Sequence, residues 1–449
     1  MSDRLLEELF EFLRIPSIST GGGDAQALKE AAEWICARIT DAGGTASLRG
    51  GGDNPVAAGE LASSRNGAPT VLIYGHYDVQ GVDPIDEWSS DPFAPELRDG
   101  RIYARGASDD KGNFLPLLHV ACSLARDGDL PVNVRVVVEG EEEAGGATVA
   151  EWFQNDERGA DAAIVFDSDM VDQDTPAITI SVRGIVSVRL RVRTAHRNLH
   201  SGMYGGSVLN AVHALHKMLA GALPHPSGRL PEELRAGAVP PSEEEIASWE
   251  LLPPGDAVLS EVGGRPLDDR SGAEYYLRNG SDSSLDVNGI YGGDPDNART
   301  IVPATARANL TMRLAPGQDA PEMGARLESL LRSGAPAGAE VEIDMVAAAP
   351  ALFDPASEPL ARGREAIAQA TGKPVALVRS GGSIPILALF AQRNIQTIVS
   401  GFALSGDQIH APDESYRVDS LRLGERASRE LYAALAKLDP DKYQSARRK

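Results

Sequence analysis

Several short stretches of this chain carry side chains that bind metal ions or move protons. His76 and Asp78 stand two apart in Gly75-His76-Tyr77-Asp78, and Asp109 and Asp110 are adjacent in Gly106-Ala107-Ser108-Asp109-Asp110-Lys111-Gly112. Glu139-Gly140-Glu141-Glu142-Glu143 closes a valine run, Asp167 and Asp169 follow Phe166, and His410 stands far downstream in Ile409-His410-Ala411-Pro412. Imidazoles mixed with carboxylates, without cysteine, suit zinc or manganese. Two such ions about 3.5–4 Å apart need a carboxylate able to bridge them and a water held between them. That water needs a base, and a carboxylate that ligates nothing is the natural choice. One of two adjacent glutamates can ligate while its neighbour takes the proton. On its own, the glutamate run reads more readily as a solvated acidic loop.

These side chains fall where strands are predicted to end. Val132–Val138, Thr70–Tyr74, Ala162–Phe166 and Thr397–Val399 are apolar runs of strand length, as expected of strands buried on both faces of a parallel sheet. The chemically active stretches follow them, at the edge where open α/β folds place their sites. Helices are predicted over Asp24–Ala42, ended by Gly43-Gly44, and over Asn113–Arg126, Pro359–Thr371 and Ile384–Gln392. The alternation predicts an α/β fold: a doubly wound, largely parallel sheet. The texture changes near Ile178. Ile178–Arg193 alternates with period two, Ser207–Leu219 is helical, Arg229–Pro266 is an irregular excursion, and Ala306–Leu314, Glu322–Arg332 and Val341–Val346 read as strand, helix and strand. The expected plan is therefore a catalytic domain in two parts, 1–178 and 351–449, interrupted by an inserted α+β domain, 179–350.

At 449 residues the chain is too long for a single core. Its net charge of −22 argues against nucleic acid and anionic membrane as partners, since both are bound through excess Lys and Arg. Cys36 and Cys122 lie in apolar helical stretches and in no metal pattern, which suggests a reducing compartment without disulfides. The opening MSDRLLEELFEFLRIP reads as a charged amphipathic helix rather than a secretion signal, and a cytoplasmic location is expected.

Taken together, the motifs resemble the family of co-catalytic metallopeptidases that includes carnosinase, aminoacylase and succinyl-diaminopimelate desuccinylase, and in particular its dipeptidase branch. They are Gly75-His76-Tyr77-Asp78-Val79-Gln80, Gly106–Gly112, Glu139–Glu143, Asn198-Leu199-His200-Ser201-Gly202 with Tyr204-Gly205-Gly206, Gly381-Gly382-Ser383-Ile384-Pro385, and Ile409–Pro412. The resemblance implies two divalent metal ions per subunit, zinc or manganese. His76, Asp109 and Asp167 would hold one, and Asp109, Glu143 and His410 the other, with Asp109 bridging. Asp169 competes with Asp167 for that place. Glu142 would be the general base and Asp78 would orient His76. The peptide between Asp109 and Asp110 would be cis. Asp110 would orient the backbone, and Glu141 would be solvated. The inserted domain would serve as lid and homodimer interface, and His200 would reach the partner subunit's active site. Thr300, Arg313 and Ser383 would bind the C-terminal carboxylate and nearby oxygens of a small peptide substrate. Arg313 could equally pair with a carboxylate of the lid. His119, His213 and His216 lie off the motifs and read as ordinary histidines.

The function expected is hydrolysis of dipeptides, or of short peptides with a free C-terminal carboxylate, by a water between the metals and a Glu base. An N-acyl-amino-acid deacylase of the same family is the alternative. A catalytically dead binding paralogue would have lost a ligand or the base, and none is lost here.

Overall fold

Four runs of β-branched and alanine residues line up as the centre of a sheet. The structure, a computed structural model, describes residues 3–50, 52–156, 158–225, 228–294, 296–382 and 384–440. Contact density divides the chain into two units: Met1–Ile180 with Phe353–Val378 and Pro385–Lys449, and Ser181–Leu352 with Arg379–Ile384.

In the first unit, strands Asn133–Glu139, Thr70–His76, Ala162–Phe166 and Thr397–Ser400 are adjacent and parallel. Val56–Leu61 and then Thr45–Arg49 extend one side antiparallel, and Ala177–Val182 pairs antiparallel on the other. All four central strands are almost wholly buried, because helices cover both faces. Successive strand residues point to opposite faces. Phe114 of helix Lys111–Asp127 lies under Gly75, whereas the ring of the preceding Tyr74 meets Phe390 of helix Pro385–Gln392 edge-on. The parallel register pairs His76 with Glu139 and Ser400 with Phe166. The carboxyl ends of all four strands therefore open onto one edge of the sheet. Beside this sheet stands a smaller one, Ser415–Arg417 with Arg101–Tyr103 and Glu96–Arg98.

The second unit carries a four-stranded antiparallel sheet in the order Ser284–Gly292, Thr305–Leu314, Gly184–Arg193, Glu340–Ala348. Gly184–Arg193 alternates buried and exposed almost throughout. Val186, Val188, Leu190 and Val192 face a core shared with helices Ala211–Ala220 and Ala320–Ser333, while Arg189, Arg191 and Arg193 face outward.

The alternation expected over Ile178–Arg193 is two strands. Ala177–Val182 is buried throughout and belongs to the large sheet, and true one-face alternation begins only at Gly184. The helix expected from Ser207 starts at Ala211, where Asn210 caps it by accepting from the amides of Val212 and His213. The excursion Arg229–Pro266 is more ordered than its composition suggests. It holds helices Glu243–Ser248, opened by a Ser242/Glu245 capping box, and Gly255–Glu261. Among the described residues no helix is long and apolar enough to cross a membrane.

Candidate metal centre

The first unit gathers five of the side chains singled out above. Ligating atoms of His76, Asp109 and Asp167 lie within 4.8 Å of one another, and so do those of Asp109, Glu143 and His410. Asp109 belongs to both groups. Its Oδ1 lies 3.0 Å from His76 Nε2 and its Oδ2 3.0 Å from His410 Nε2. His410 Nε2 is also 2.9 Å from Glu143 Oε1. Asp169, the rival of Asp167, is exposed and joins neither group.

Each side chain is held by a neighbouring strand end. His76 ends its strand with its Nδ1 3.0 Å from the Asp78 carbonyl oxygen and 3.5 Å from Asp78 Oδ1. The Asp78 carboxylate reaches further than orienting His76 requires. It accepts from the amides of Glu142 and Glu143, both at 3.2 Å, and from Ser19 Oγ at 2.6 Å. Glu142 and Glu143 lie in a short 3₁₀ turn just past strand Asn133–Glu139. Gln80 Nε2 donates to Glu143 Oε2 at 2.9 Å, leaving Oε1 for His410. Asp167 follows Phe166, and its amide donates to the Ser400 carbonyl of the adjacent strand. The peptide between Asp109 and Asp110 is cis. His410 has φ near +61° in the loop after the Thr397–Ser400 strand.

The electrostatics of this cluster call for cations. Burial opposes charge on both Asp109 and His76, yet their contact dominates. The imidazoles of His410 and His76 hold the Asp109 carboxyl well below the usual range, and Asp109 and Asp78 hold His76 well above its own. Burial, with Asp109, Glu142 and Glu143 close by, pushes Asp167 up to about 8 against the pull of His76. Glu142 is raised by burial and by Glu143, Asp109 and Asp78, again against His76. Two imidazoles and three carboxylates without cysteine form a donor set that fits divalent ions such as zinc or manganese. A carboxylate that turns one oxygen toward each imidazole has the orientation a bridging ligand needs. Glu142 adjoins the cluster and belongs to neither ligand group.

Several participants escape a reading of the sequence. Glu139, the first acid of its run, is buried, hydrogen-bonded to Tyr74 Oη, and pushed up to about 8 mainly by burial. Gly140 is required next to it, since a Cβ there would sit 2.1 Å from Tyr77 Oη. Glu141 is not a solvated bystander: it accepts from the Thr148 amide and, at 3.1 Å, from Asn54 Nδ2, tying the turn to the start of the next helix. Asp110 is buried, with Oδ2 3.3 Å from the His76 amide, in keeping with a backbone-orienting part. His119 is buried against Glu8 at 2.6 Å, while His213 and His216 lie on the exposed face of their helix.

The expected substrate-binding residues lie in the second unit. His200 and Thr300 are neighbours. Leu199–His200 pairs with Ile301–Val302, and the Ser201 amide donates to the Thr300 carbonyl at 2.9 Å. His200 is exposed and its Nδ1 accepts from the Gly202 amide at 3.1 Å. Arg313 sits elsewhere, opposite Ser284 and Ile185 in the four-stranded sheet. Among the described residues it makes no ion pair with a carboxylate of its unit. Ser383 lies outside the described residues.

A family model described as "Peptidase family M20/M25/M40" matches residues 72–434, a span that contains every residue of the cluster. The chain belongs to this peptidase family. It is thus a metallopeptidase and a hydrolase. The M20 chain is 27% identical to the cysteinylglycine-S-conjugate dipeptidase of Corynebacterium striatum, over 92% of its own length and 91% of that protein's. It is 32% identical to human Beta-Ala-His dipeptidase over 58% of its length and 53% of that protein's. Among solved structures, an M20 metallo-carboxypeptidase from Sulfolobus solfataricus superposes with a TM-score of 0.83 at 27% identity, covering 97% of this chain and 100% of that one.

Proposed function

We propose that this M20 protein hydrolyses dipeptides, and short peptides with a free C-terminal carboxylate, in a metal-dependent reaction. The observation that carries the reading is Asp109 shared between two imidazole–carboxylate groups, with Glu142 beside them and in neither. His76, Asp109 and Asp167 would hold one divalent ion, and Asp109, Glu143 and His410 a second, zinc or manganese. Bound there, the ions supply Lewis acidity to the scissile carbonyl and lower the pKa of the attacking water.

The chain's own residues do the rest. Glu142, raised in pKa and fixed at its amide by Asp78, takes the proton from the attacking water and passes it to the leaving amine. Asp78 keeps the His76 ring and the Glu142–Glu143 turn in register. His200, reaching in from the partner subunit, would donate to the oxygen that gains charge as the carbonyl is attacked. Thr300, Arg313 and Ser383 recognise the substrate's C-terminal carboxylate, with Arg313 able to hold it through two parallel N–H donors.

A relative that spans 92% of the chain is named a dipeptidase, which favours peptides over the N-acyl amino acids of a deacylase. A homodimer formed through the second unit is part of this proposal. Its sheet ends, among the described residues, in strand Ser284–Gly292, with Ile290 and Tyr291 exposed, and an edge of that kind suits pairing with another copy. A cytoplasmic location is supported by two cysteines that are both free thiols. The test is a panel of dipeptides, tripeptides and N-acetyl amino acids, assayed on apo-protein with zinc or manganese added back. Hydrolysis of unblocked dipeptides is expected, and turnover confined to N-acetyl amino acids would overturn the reading.

A further inference from the structure

Asp109 and His410 share the second ligand group, yet they lie on loops from opposite ends of the chain. What fixes the spacing of those loops is a pair of buried acids, Asp407 and Glu414, one on each side of His410. Neither belongs to a ligand group. Both are inaccessible, Asp407 at 0% and Glu414 at 1% exposure.

Glu414 meets the loop that leads into Asp109 along its length. Its Oε2 accepts from Arg105 Nη1 at 2.7 Å and the Gly106 amide at 2.8 Å. Its Oε1 accepts from the Ser108 amide at 2.9 Å and the Asp109 amide at 3.1 Å. Its own carbonyl accepts from the Ala104 amide at 3.1 Å. On the other side of His410, Asp407 Oδ2 accepts from Ser108 Oγ and from the Leu404 amide, both at 2.9 Å, while Oδ1 takes Arg101. The segment 407–414 is thus clamped to the loop 104–109 at both ends, and His410 rides between the clamps with φ near +61°.

We infer that Glu414, seconded by Asp407, is a positioning residue for the metal pair: its carboxylate sets the distance between Asp109 and His410, and so the affinity of the site they share with Glu143. The assignment rests on the metal reading proposed above. A carboxylate that gathers several backbone amides of one loop cannot be replaced by its amide. A glutamine has one acceptor oxygen and turns an NH₂ toward donors. Glu414→Gln also strands the buried Arg105 charge, so loss of fold must be separated from loss of positioning. The double variant Arg105→Gln/Glu414→Gln removes both charges together, and Asp407→Asn leaves the Arg105–Glu414 pair untouched.

Zinc binding is measured by competition with a chromophoric chelator on apo-protein of the parent, the double variant and Asp407→Asn, beside the unfolding temperature of each apo form. Loss of outer partners weakens metal sites by roughly ten- to a hundredfold. The expected result is one zinc bound about ten- to a hundredfold more weakly in the double variant although its apo form unfolds within a few degrees of the parent, with Asp407→Asn showing a smaller loss. Two parental zinc sites that are unchanged in the variants overturn the assignment, and so does an affinity loss that merely tracks the unfolding temperature. A parent that takes up fewer than two ions overturns the metal reading itself, and the assignment with it.

Discussion

Asp78 Oδ1 and the Glu142 amide lie 3.2 Å apart, so the residue whose carbonyl steadies His76 also holds the backbone of the proposed base. One short carboxylate thereby locks the ends of two parallel strands, Thr70–His76 and Asn133–Glu139, to one another. Asp78→Asn keeps the shape, but the amide must turn a donor toward one of two amide donors, those of Glu142 and Glu143. We expect zinc affinity and kcat each to fall by about ten- to a hundredfold, with the unfolding temperature of the apo-protein little changed. Parental kcat at saturating zinc would remove Asp78 from the proposal.

Glu142 carries no metal in this reading, and that separates it from Glu143 next door. Glu142→Gln should leave two zinc ions bound and lower kcat by about 10²–10⁴-fold, the usual contribution of a positioned proton carrier. Glu143→Gln should lose zinc first and activity as a consequence. Metal content by elemental analysis, run beside turnover on a single dipeptide, distinguishes the two. Turnover near the parental value in Glu142→Gln would sink the assignment of the base.

Those two glutamates show how far the sequence was legible. The valine run before them and the order of the motifs point to the strand, the edge it opens onto and the imidazole and carboxylate side chains that the structure brings together there. What stayed hidden was the network beneath. Glu141 looked solvated, because no local pattern tells that the Thr148 amide will fold back onto it. Glu414 sits in no recognisable spacing with Arg105, since the contact depends on a pairing between distant segments, Ser415–Arg417 with Arg101–Tyr103. The sequence places one-face alternation from Ile178, whereas Ala177–Val182 is buried throughout, because a strand buried on both faces and a one-face strand share the same β-branched residues. Period alone does not mark the break between strands at Arg183.

Metal uptake should release protons, with a sign that follows from the apo electrostatics. His410, held by Asp109 and Glu143, is pushed up to about 10, His76 is raised by Asp109 and Asp78, and Asp167 is pushed up to about 8 by burial. These shifts favour the protonated form of each in the metal-free protein, and each must lose its proton to ligate. Zinc affinity should rise with pH between 6 and 8, and calorimetric titration in buffers of different ionisation enthalpy should show net proton release per zinc. Affinity independent of pH across that window would contradict the assigned ligands.

Stability has its own acid-sensitive contact away from the metals. Burial would raise the Glu8 carboxyl, but the hydrogen bond and charge of His119, with Arg4 behind them, hold it below the usual value. A depressed acid stabilises the fold above its unfolded pKa of about 4.3, and the contribution disappears as pH falls through the lower folded value. Glu8→Gln should cost about 1–3 kcal/mol at pH 7, and the gap from the parent should narrow below about pH 4. Denaturant unfolding at both pH values measures it. A gap of equal size at pH 7 and pH 3 would show that packing, not the ionised Glu8 carboxylate, sets the loss.

Gly401 tests the close approach that brings Asp167 and the His410 loop together. It directly follows strand Thr397–Ser400, and a Cβ there would lie 1.8 Å from the Ser168 carbonyl oxygen and 2.7 Å from its carbon. Both atoms are backbone, one residue past Asp167, so no side chain can swing aside. The two strand ends must part, and the Asp167 amide must leave the Ser400 carbonyl. Gly401→Ala should destabilise the apo-protein by at least the 1–3 kcal/mol typical of overpacking. It should also weaken the group that uses Asp167 more than the one that uses Glu143, because only the first loses a ligand's anchor. Zinc titration of the folded fraction, read beside the unfolding temperature, would show one site weakened and one kept. Equal weakening of both would place the strain on Asp109 or on the His410 loop instead.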